Sequence, residues 1–397
     1  MNIVVIGAGY AGMTAALRLD RRHRITLVTA DEHFTQRIRL HELAAGRPSV
    51  TVPLAELTRG TGIVTVTARV SGLDPEAKLV RTADGRKIPY DTLVYALGSR
   101  TDVSTPGVTE HAYTAETAAE LRARLDSRGG DLVVVGGGLT GVELAAELAE
   151  AYPAWRVGLV TETEPGAGLS ARGRDHVAGT MARLGVSGHP GARVTAVEPD
   201  RLRTTRGDIP ADVVVWAGAF TVPALAAEAG LAVDERGRAR VDGTLRSVSH
   251  PDVYVVGDAA AVEIPGAGVS RMSCAVGMPI AAHAADVVNA RAAGRTARPF
   301  RFRYLIQCVS LGRRDGVIQL VRRDDSPLDL ILAGRTAAWV KEQVCRFTLG
   351  SLRVERRRPG TYLWPKGPAP ADARARGGDE PPAPPLVPEA TRRSGDR

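Results

Sequence analysis

The sequence predicts an α/β protein in which two similar domains each contain a parallel β-sheet, followed by a smaller C-terminal domain. Three observations carry this prediction. A β-branched run near the start of the chain leads through three glycines into a helical stretch, and the same arrangement returns from residue 131. A third apolar run, 253–256, ends in a Gly-Asp pair, at the kind of sheet edge where open parallel sheets bind ligands.

The first glycine turn has the spacing G-x-G-x-x-G. It links an apolar run, 3–6, typical of a fully buried strand, to the helix-favouring residues 13–19. In this context Gly7 allows the tight turn, Gly9 lets the backbone approach a pyrophosphate, and Gly12 lets the helix pack closely on the strand. The free N–H groups at the start of the helix then bind the phosphates. The alternative is an ordinary strand-turn-helix whose glycines serve only packing.

The second glycine turn repeats the pattern within 131–148, with Gly136, Gly138 and Gly141 at the same spacing. Each turn is followed by a meander of short strands. The meanders close in similar runs, IPYDTLVYALG in the first copy and IPADVVVWAGA in the second. One such turn suggests one dinucleotide, whereas a repeated unit predicts two Rossmann-like domains that bind two dinucleotides.

The acid expected to bind the ribose of the first dinucleotide is displaced along the chain. It normally follows the glycines by about 20 residues, at the end of the second strand. Here Thr29 occupies that position, and Asp31 and Glu32 come just after it. In the charged segment that follows, Arg37 and Arg39 either neutralise a pyrophosphate or fix the loop to its neighbours. A solvated charged helix is the other interpretation of this segment.

The composition, 44% hydrophobic and 24% charged over 397 residues, is typical of soluble globular proteins. No apolar run approaches the roughly 20 residues of a transmembrane helix, and we identify no signal peptide. The three cysteines form no C-x-x-C pair and no metal-ligand spacing, which favours a reducing cytoplasm and no metal site. The formal charge of +8 comes with no nucleic-acid motif, so we expect no nucleic-acid partner.

The C-terminal part has a different pattern. From residue 299 the sequence alternates like antiparallel strands, and a helical stretch follows with Val340, Val344 and Phe347 on one face. Eight basic residues and two acids lie between Arg335 and Lys366. This helix either packs on its own domain or anchors the protein peripherally on the inner face of the cell membrane. The Pro-, Ala- and Arg-rich sequence 363–397 predicts a disordered tail.

In chain order, the motifs GAGYAG, YALGS, GGGLTGVE, WAGA and VYVVGDAA resemble those of the pyridine nucleotide-disulfide oxidoreductase superfamily, and within it the type II NADH dehydrogenases. The resemblance covers about residues 1–349. It implies an FAD-binding domain (1–110 and 247–297), an NAD-binding domain (111–246) and a C-terminal interface domain (298–362). A homodimer is one assembly to consider.

The resemblance also implies roles for individual residues. The FAD site would consist of Gly7, Ala8, Gly9, Tyr10, Ala11, Gly12, Asp31, Arg39, Gly98, Gly257 and Asp258. The nicotinamide dinucleotide would bind at Gly136, Gly138, Thr140, Gly141 and Glu162. Glu143, in the first turn of the second glycine-turn helix, matches a family glutamate near the nicotinamide and flavin rings and is the candidate catalytic residue.

The implied reaction transfers a hydride from the nicotinamide to the flavin, and the protein supplies orientation, charge and exclusion of water. The coenzyme preference follows from the acids Glu162 and Glu164, which come directly after the second strand of the second copy. They favour NADH over NADPH, because they would repel the additional phosphate of NADPH. Arg172 and Arg174 lie within a loop's reach of the same place.

The electron acceptor is not identified by these motifs. Respiratory type II enzymes carry glutamines near the quinone, and the corresponding segment here, 271–288, has none. A sulfide:quinone oxidoreductase needs a cysteine pair at the flavin, which only Cys274 and Cys345 could provide. His41 and His283 are either proton donors to an acceptor or structural histidines.

Three hypotheses remain at this point. The first is an NADH dehydrogenase that reduces a quinone at the membrane. The second is a soluble flavoprotein that acts on a small organic molecule or a ferredoxin-like carrier. The third is a regulatory protein with a vestigial flavin, against which the intact glycines and Asp258 argue.

Overall fold

The computed structural model describes residues 1–127 and 129–368. These residues form the helices α1 (Tyr10–Arg18), α2 (Leu40–Ala44), α3 (Leu54–Thr58), α4 (Val108–His111), α5 (Ala118–Leu125), α6 (Leu139–Ala151), α7 (Ala171–Arg183), α8 (Leu225–Glu228), α9 (Cys274–Ala292) and α10 (Gly334–Arg357). Short 3₁₀ helices lie at Arg37–Arg39, Ala115–Thr117 and Gly257–Ala259.

The strands up to the middle of the chain are β1 (Asn2–Ile6), β2 (Arg24–Thr29), β3 (His33–Thr35), β4 (Thr51–Pro53), β5 (Val64–Thr67), β6 (Val70–Asp74), β7 (Leu79–Thr82), β8 (Lys87–Pro89), β9 (Thr92–Tyr95), β10 (Arg100–Thr101), β11 (Ala112–Tyr113), β12 (Gly130–Val135) and β13 (Trp155–Thr161). Those that follow are β14 (Ser187–Pro190), β15 (Val194–Glu198), β16 (Arg201–Thr204), β17 (Ile209–Pro210), β18 (Val213–Trp216), β19 (Phe220–Thr221), β20 (Ala239–Arg240), β21 (Val253–Val255), β22 (Ala260–Ala261), β23 (Glu263–Ile264), β24 (Gly268–Val269), β25 (Ile306–Ser310), β26 (Gly316–Val321) and β27 (Pro327–Ala333).

The first predicted parallel sheet is confirmed. Its strands lie in the order β21-β9-β1-β2-β5, and every neighbouring pair is parallel. Such a sheet is buried on both faces, which explains why β1 is an unbroken apolar run. Residues 3–6 are at most 1% exposed. The late strand β21 pairs with β9, so the chain leaves this sheet and returns to it about 150 residues later, at the crossover length that an inserted domain requires.

The second sheet repeats the first. Its order is β11-β18-β12-β13-β14, again with parallel pairs throughout. The meanders β6-β7-β8 and β15-β16-β17 are both antiparallel. Each closing strand, β9 or β18, lies beside the strand that precedes the glycine turn, β1 or β12. The predicted α/β class with two Rossmann-like domains is therefore confirmed.

The C-terminal part consists of the antiparallel sheet β25-β26-β27 and the long helix α10. The helix is confirmed. Of the three apolar residues that predicted it, Val340 and Val344 are half-buried and Phe347 is 59% exposed. The buried face carries small residues instead, among them Ala337 and Cys345, because α10 packs closely against α1 and β26.

The beginning of the predicted tail packs on the body of the protein. Trp364 Nε1 donates a hydrogen bond to the carbonyl oxygen of Arg301 at 2.9 Å. Its ring stacks on those of Tyr362 and Phe300, with centroids 6.3 and 6.5 Å away. The remaining part of that prediction, 369–397, lies outside the described residues.

A buried ion-pair cluster ties three helices together. Arg18 of α1, 7% exposed, contacts Asp286 of α9 at 2.8 Å and Glu355 of α10 at 3.0 Å. Glu355 is 1% exposed and also accepts backbone N–H bonds from Gly360 and Tyr362. Removal of the guanidinium would leave a buried carboxylate without its cation, which is much more costly than loss of a surface pair.

We therefore expect Arg18→Leu to lower the free energy of unfolding by about 3 kcal/mol. The control is Lys78→Ala, which removes an exposed ion pair with Asp252 and should lower the free energy of unfolding far less than Arg18→Leu does. Urea unfolding of the two variants measures both values. Equal losses would show that the Arg18 cluster contributes no more than a surface ion pair.

Candidate active site

The first glycine turn has the geometry that its sequence predicted. Gly7 has a φ of +97°, a region that favours glycine, and a Cβ on Gly12 would lie 1.8 Å from the carbonyl oxygen of Gly7. A Cβ on Gly9 would meet nothing within 4 Å. Gly7 and Gly12 are therefore needed to form the turn, whereas Gly9 faces open space at the start of α1, where helix N–H groups can bind a phosphate.

The distant Gly-Asp pair lies directly against this turn. A Cβ on Gly257 would be 2.9 Å from the Cβ of Ala11, so the end of β21 contacts the first turn of α1. Ser99 Oγ donates to Asp258 Oδ2 at 2.6 Å. Burial raises the pKa of Asp258, and the hydrogen bond from Ser99 and the charge of Arg37 act in the opposite direction.

These residues fit a dinucleotide such as FAD. The backbone at Gly9 is open, and so is the space beside Gly98, which has a φ of +63°. Ser273, just before α9, has a buried Oγ with no hydrogen-bond partner among the described residues. A polar ligand would fill the space beside these glycines and would give the buried Ser273 hydroxyl beside Asp258 a hydrogen-bond partner.

Two other predicted FAD ligands have different surroundings. Asp31 is exposed beyond the end of β2, where its carboxylate can reach a ligand. Arg39 is 3% exposed and contacts Glu42 at 2.9 Å and Glu342 at 2.8 Å. The prediction that Arg39 neutralises a pyrophosphate is not supported by this geometry, because two carboxylates already balance its charge; it fixes the segment to α10 instead. The solvated interpretation does not hold for Arg39, which is buried, whereas Arg37 is 40% exposed and contacts Glu116 at 2.9 Å.

The second glycine turn borders a cavity of about 700 Å³. The predicted dinucleotide residues Gly136, Gly138 and Glu162 line it. Gly141 acts in the turn as Gly12 does in the first copy, since its Cβ would lie 1.9 Å from the carbonyl oxygen of Gly136. Thr140, also predicted, lies in the first turn of α6 and does not line this cavity.

Two further residues of this cavity were not singled out from the sequence. Arg193 lines the cavity together with Glu162, whereas the predicted arginines Arg172 and Arg174 do not. Trp216, at the end of β18, forms another part of the lining and donates from Nε1 to the carbonyl oxygen of Asp102 at 2.8 Å. The repeated closing strand could have indicated Trp216, because it ends at the same sheet edge as the glycine turn.

Glu143 forms a buried ion pair that joins three parts of the chain. It lies in α6, and its Oε1 accepts a hydrogen bond from Lys341 Nζ of α10 at 2.5 Å. The same oxygen accepts the backbone N–H of Ser310, at the end of β25, at 3.0 Å. The side chains of Glu143 and Lys341 are only 12% and 14% exposed.

The charges of this pair reinforce each other. Burial alone would raise the pKa of Glu143, but Lys341, His41 and the Ser310 N–H together hold that pKa below its ordinary value. Burial would likewise lower the pKa of Lys341, but Glu143 raises it above its ordinary value. The pair therefore stays ionised around neutral pH.

Two cysteines lie close to this pair but do not behave as a reactive dithiol. Burial raises the pKa of Cys274 to about 12 and that of Cys345 to about 11, so both are thiols at neutral pH. The charges of Asp258 and Lys341 both act on Cys274, so the start of α9 lies near both residues.

The two candidate histidines lie in different places. His41 is 5% exposed and lies beside Glu143, with Nδ1 3.9 Å from Oε2. His283 Nε2 is 2.9 Å from the carbonyl oxygen of Arg298, and its ring packs on Phe300. The structure thus brings His41, but not His283, to the Glu143 pair.

Lys341 is the main residue of the site that sequence reasoning missed. It was counted among the basic residues of the C-terminal helix and given no separate role. One signal could have identified it: the chain has only four lysines among 52 basic residues, so a lysine inside an arginine-rich helix is unusual. Lysine provides a compact point charge that fits a single buried carboxylate.

The geometry of the first glycine turn leads to a prediction with a built-in control. Gly9→Ala should fold but copurify with less flavin, because its methyl group fills the space over the helix N terminus, and its flavin-free form should melt at the same temperature as flavin-free wild type. Gly12→Ala should lower the melting temperature as well, because its Cβ clashes with the backbone at Gly7. Flavin absorbance per protein and thermal unfolding measure both effects. Full flavin content in Gly9→Ala would contradict the assignment.

Comparisons with known proteins agree with this arrangement. The family model described as pyridine nucleotide-disulphide oxidoreductase matches residues 1–286. An NADH dehydrogenase-like protein of Mycobacterium tuberculosis is 30% identical over 321 residues, covering 72% of this chain and 80% of that protein. A type II NADH:quinone oxidoreductase of Staphylococcus saprophyticus is 25% identical over 387 residues, covering 86% and 94%.

A solved structure has the same fold. The structure of NDH2 from Plasmodium falciparum in complex with NADH superposes with a TM-score of 0.76 at 15% identity, covering 91% of this chain and 99% of that one. The family match and the fold together account for both glycine turns, and FAD and a nicotinamide dinucleotide are the cofactors. The chain belongs to the pyridine nucleotide-disulphide oxidoreductase family and is an FAD-dependent NAD(P)H oxidoreductase.

Proposed function

We propose that this enzyme takes a hydride from NADH onto FAD and passes the electrons to a quinone-like acceptor. The observation that carries the proposal is the buried Glu143–Lys341 pair. Glu143 lies on α6, whose first residue lines the cavity of the second glycine turn, and the charge of Lys341 acts on Cys274 at the start of α9, as does that of Asp258. A pair of fixed charges near both dinucleotide sites is suited to electron transfer from one to the other. FAD supplies the two-electron redox chemistry when it is bound.

We assign the holding of FAD to the first turn and the Gly-Asp pair. The N–H groups behind Gly9 would bind the pyrophosphate, and Asp258 would accept hydrogen bonds from the ribityl hydroxyls. Asp31 would accept from the adenosine ribose in place of the usual strand-end acid. We keep the predicted domain division, 1–110 with 247–297 and 111–246, as part of this proposal.

Lys341 and Glu143 act through charge. The ammonium group of Lys341 stabilises the negative charge that arrives with the electrons, and it does so without reorganisation because Glu143 and the carbonyl oxygen of Cys308 hold it in place. Glu143 lies one turn into α6, and the resemblance to the family implies that this glutamate is near the nicotinamide and flavin rings. Both residues exclude water from the site, since each is largely buried.

Two observations support a quinone-like acceptor. The Staphylococcus saprophyticus relative, similar over 94% of its length, is named as an NADH:quinone oxidoreductase. The exposed apolar side chains of the C-terminal part also provide a surface for an apolar substrate or membrane, notably Leu330, Trp339 and Phe347, which are 54%, 64% and 59% exposed.

A second candidate is a soluble reductase that acts on a small organic molecule or a ferredoxin-like carrier. It is favoured by the absence of glutamine from 271–288, the segment that carries quinone-side glutamines in respiratory relatives. Both candidates share the NADH half-reaction and differ only in the acceptor.

The experiment that tests the proposal follows the flavin spectrum. NADH added anaerobically to the purified enzyme should bleach the flavin, and a soluble menaquinone analogue should then restore the colour faster than oxygen does. Ferricyanide serves as the general acceptor, and a plant-type ferredoxin tests the second candidate. Bleaching without reoxidation by the quinone would contradict the quinone assignment. Absence of bleaching would contradict the whole proposal.

The preference for NADH is assigned to Glu162. Its carboxylate lines the cavity, so Glu162→Ser should raise kcat/KM for NADPH relative to NADH by about fivefold, because it removes charge repulsion of the order of 1 kcal/mol. Glu164→Ser is the matched control, since Glu164 does not line the cavity. A wild-type enzyme with higher kcat/KM for NADPH, or an unchanged ratio in Glu162→Ser, would contradict the assignment.

We also propose that α10 rests on an anionic membrane surface. No helix in the described part of the chain is both long enough and apolar enough to span a bilayer. Trp339, Phe347 and Val354 share one face of α10 and are at least 50% exposed, and Arg346 and Arg353 border that face. An apolar stripe bordered by arginines is typical of a helix lying in the membrane interface.

The double substitution Trp339→Ser/Phe347→Ser should weaken binding to vesicles of anionic lipid about tenfold or more, because both rings are removed from the interface. Val248→Ser, which replaces an exposed valine elsewhere, is the control. Cosedimentation with vesicles measures the affinity. If the double variant binds as the wild type does, α10 is not the membrane contact.

A further inference from the structure

His41 lies between two buried carboxylates. Glu143 and Glu147 are one turn apart on α6, and α2 packs against that helix. The imidazole spans the two: Nδ1 is 3.9 Å from Glu143 Oε2, and Nε2 is 3.9 Å from Glu147 Oε1. Nε2 is buried and has no hydrogen-bond partner among the described residues. An unpartnered buried nitrogen destabilises the fold, so its presence indicates a role.

A polar path continues from Glu147 to the protein surface. Glu147 is 1% exposed, accepts from Ser310 Oγ at 2.9 Å and pairs with the guanidinium of Arg313. Arg313, 45% exposed, borders a second cavity of about 460 Å³. The charged residues that line this cavity are Glu42, Arg47, Glu147, Glu150 and Arg313. The path thus runs from solvent through Glu147 and His41 to Glu143.

Ser310 donates hydrogen bonds to both carboxylates of this path. Its backbone N–H donates to Glu143, and its hydroxyl donates to Glu147 at 2.9 Å. One residue of β25 therefore fixes both carboxylates that face the imidazole. The imidazole of His41 lies between these carboxylates, and its Nε2 is available to form a hydrogen bond.

The proposed reaction requires one proton from solvent. Reduction of a quinone to a quinol adds two electrons and two protons. NADH supplies both electrons and one hydrogen as hydride, so each turnover consumes one further proton. Since Glu143 and Lys341 are largely buried, this proton needs a path into the site.

We propose that His41 relays this proton from Glu147 to Glu143. The Glu147 carboxylate takes up a proton from solvent at the cavity it shares with Arg313 and passes a proton to Nε2, as the proton on Nδ1 passes to Glu143, which releases it toward the acceptor. The ring then returns to its first tautomer. His41 acts through Glu143 and is thus a positioning residue for the proton. This inference rests on the proposed function.

The surroundings of His41 suit transfer rather than storage of a proton. The charged groups that face it are Glu143 and Glu147 of α6, Lys341 of α10 and Glu42 of α2. Burial lowers the pKa of His41, Lys341 lowers it further, and the three carboxylates oppose this. The resting ring is therefore neutral, with one nitrogen that accepts and one that donates. A movement of about 1 Å at each end closes the gaps to hydrogen-bond length.

The test separates the two half-reactions. In His41→Gln, anaerobic bleaching by NADH should stay within about twofold of wild type, because hydride transfer needs no solvent proton. Reoxidation by a menaquinone analogue should slow about tenfold or more at pH 8, within the range expected for loss of a proton-transfer group. The variant's rate should fall as the pH rises from 6 to 8, whereas the wild-type rate stays flat. His283→Gln is the control, because His283 lies outside the path.

Two more variants guard against a merely structural effect. Glu147→Gln, which blocks the path one step earlier, should show the same slow, pH-dependent reoxidation. In His41→Ala, added imidazole should restore reoxidation. Parallel pH profiles of His41→Gln and wild type, or equal slowing of both half-reactions without rescue, would overturn the relay. A wild-type enzyme that is bleached by NADH but reduces no quinone would overturn the proposed acceptor and the relay with it.

A second readout does not depend on turnover. In histidine-labelled protein, the ¹⁵N resonances of His41 should titrate with a midpoint below that of free histidine. Glu147→Gln should lower this midpoint further, because it removes a carboxylate that raises the pKa of His41. Glu150→Gln, one turn along α6, is the matched control. If Glu147→Gln leaves the titration midpoint of the His41 resonances unchanged, the two groups do not exchange a proton.

Discussion

The contact between Glu143 and Lys341 is the interaction on which the arrangement of the site depends. Its members are 198 residues apart and belong to the helix of the second glycine turn and to the C-terminal helix. Neither charge is stable in this position alone, since each is largely buried and burial opposes its ionised form. The pair therefore requires the C-terminal helix to lie against α6 and β25, and it couples the third part of the chain to the two dinucleotide sites.

The two glycine turns show how one local solution is used for two purposes. In both copies the third position requires glycine. A Cβ there would lie 1.8 Å from the carbonyl oxygen of the first glycine in one copy and 1.9 Å in the other. The difference lies in the surroundings. The first turn is completed by the Gly-Asp pair of a strand that arrives late in the chain, whereas the second faces an open cavity with an acid at its rim. This asymmetry fits a cofactor that stays bound at the first turn and a coenzyme that exchanges at the second.

The sheets, the glycine turns and the meanders could be predicted because their signals are local. Alternation, apolar runs and glycine spacing reflect backbone geometry within a few residues of each other. The pairing of buried charges could not be predicted in this way. Arg39 contacts Glu342, which is 303 residues away in the sequence. Nothing in the sequence near either residue shows that the partner of Arg39 is this glutamate and not a pyrophosphate. The apolar residues Val340, Val344 and Phe347 predict one helical face of α10, but the sequence leaves two environments open for that face, because periodicity gives the face of a helix and not what covers it.

The most direct test of this account measures how Lys341 affects flavin reduction. Lys341→Met keeps the length of the side chain and removes its charge, and we expect the variant to retain its flavin. The anaerobic stopped-flow rate of flavin bleaching by NADH should fall by about a hundredfold, the effect typical of losing one preorganised charge at a reacting centre. A folded variant with full flavin content and a wild-type bleaching rate would contradict the claim that the Glu143–Lys341 pair is part of the reacting centre.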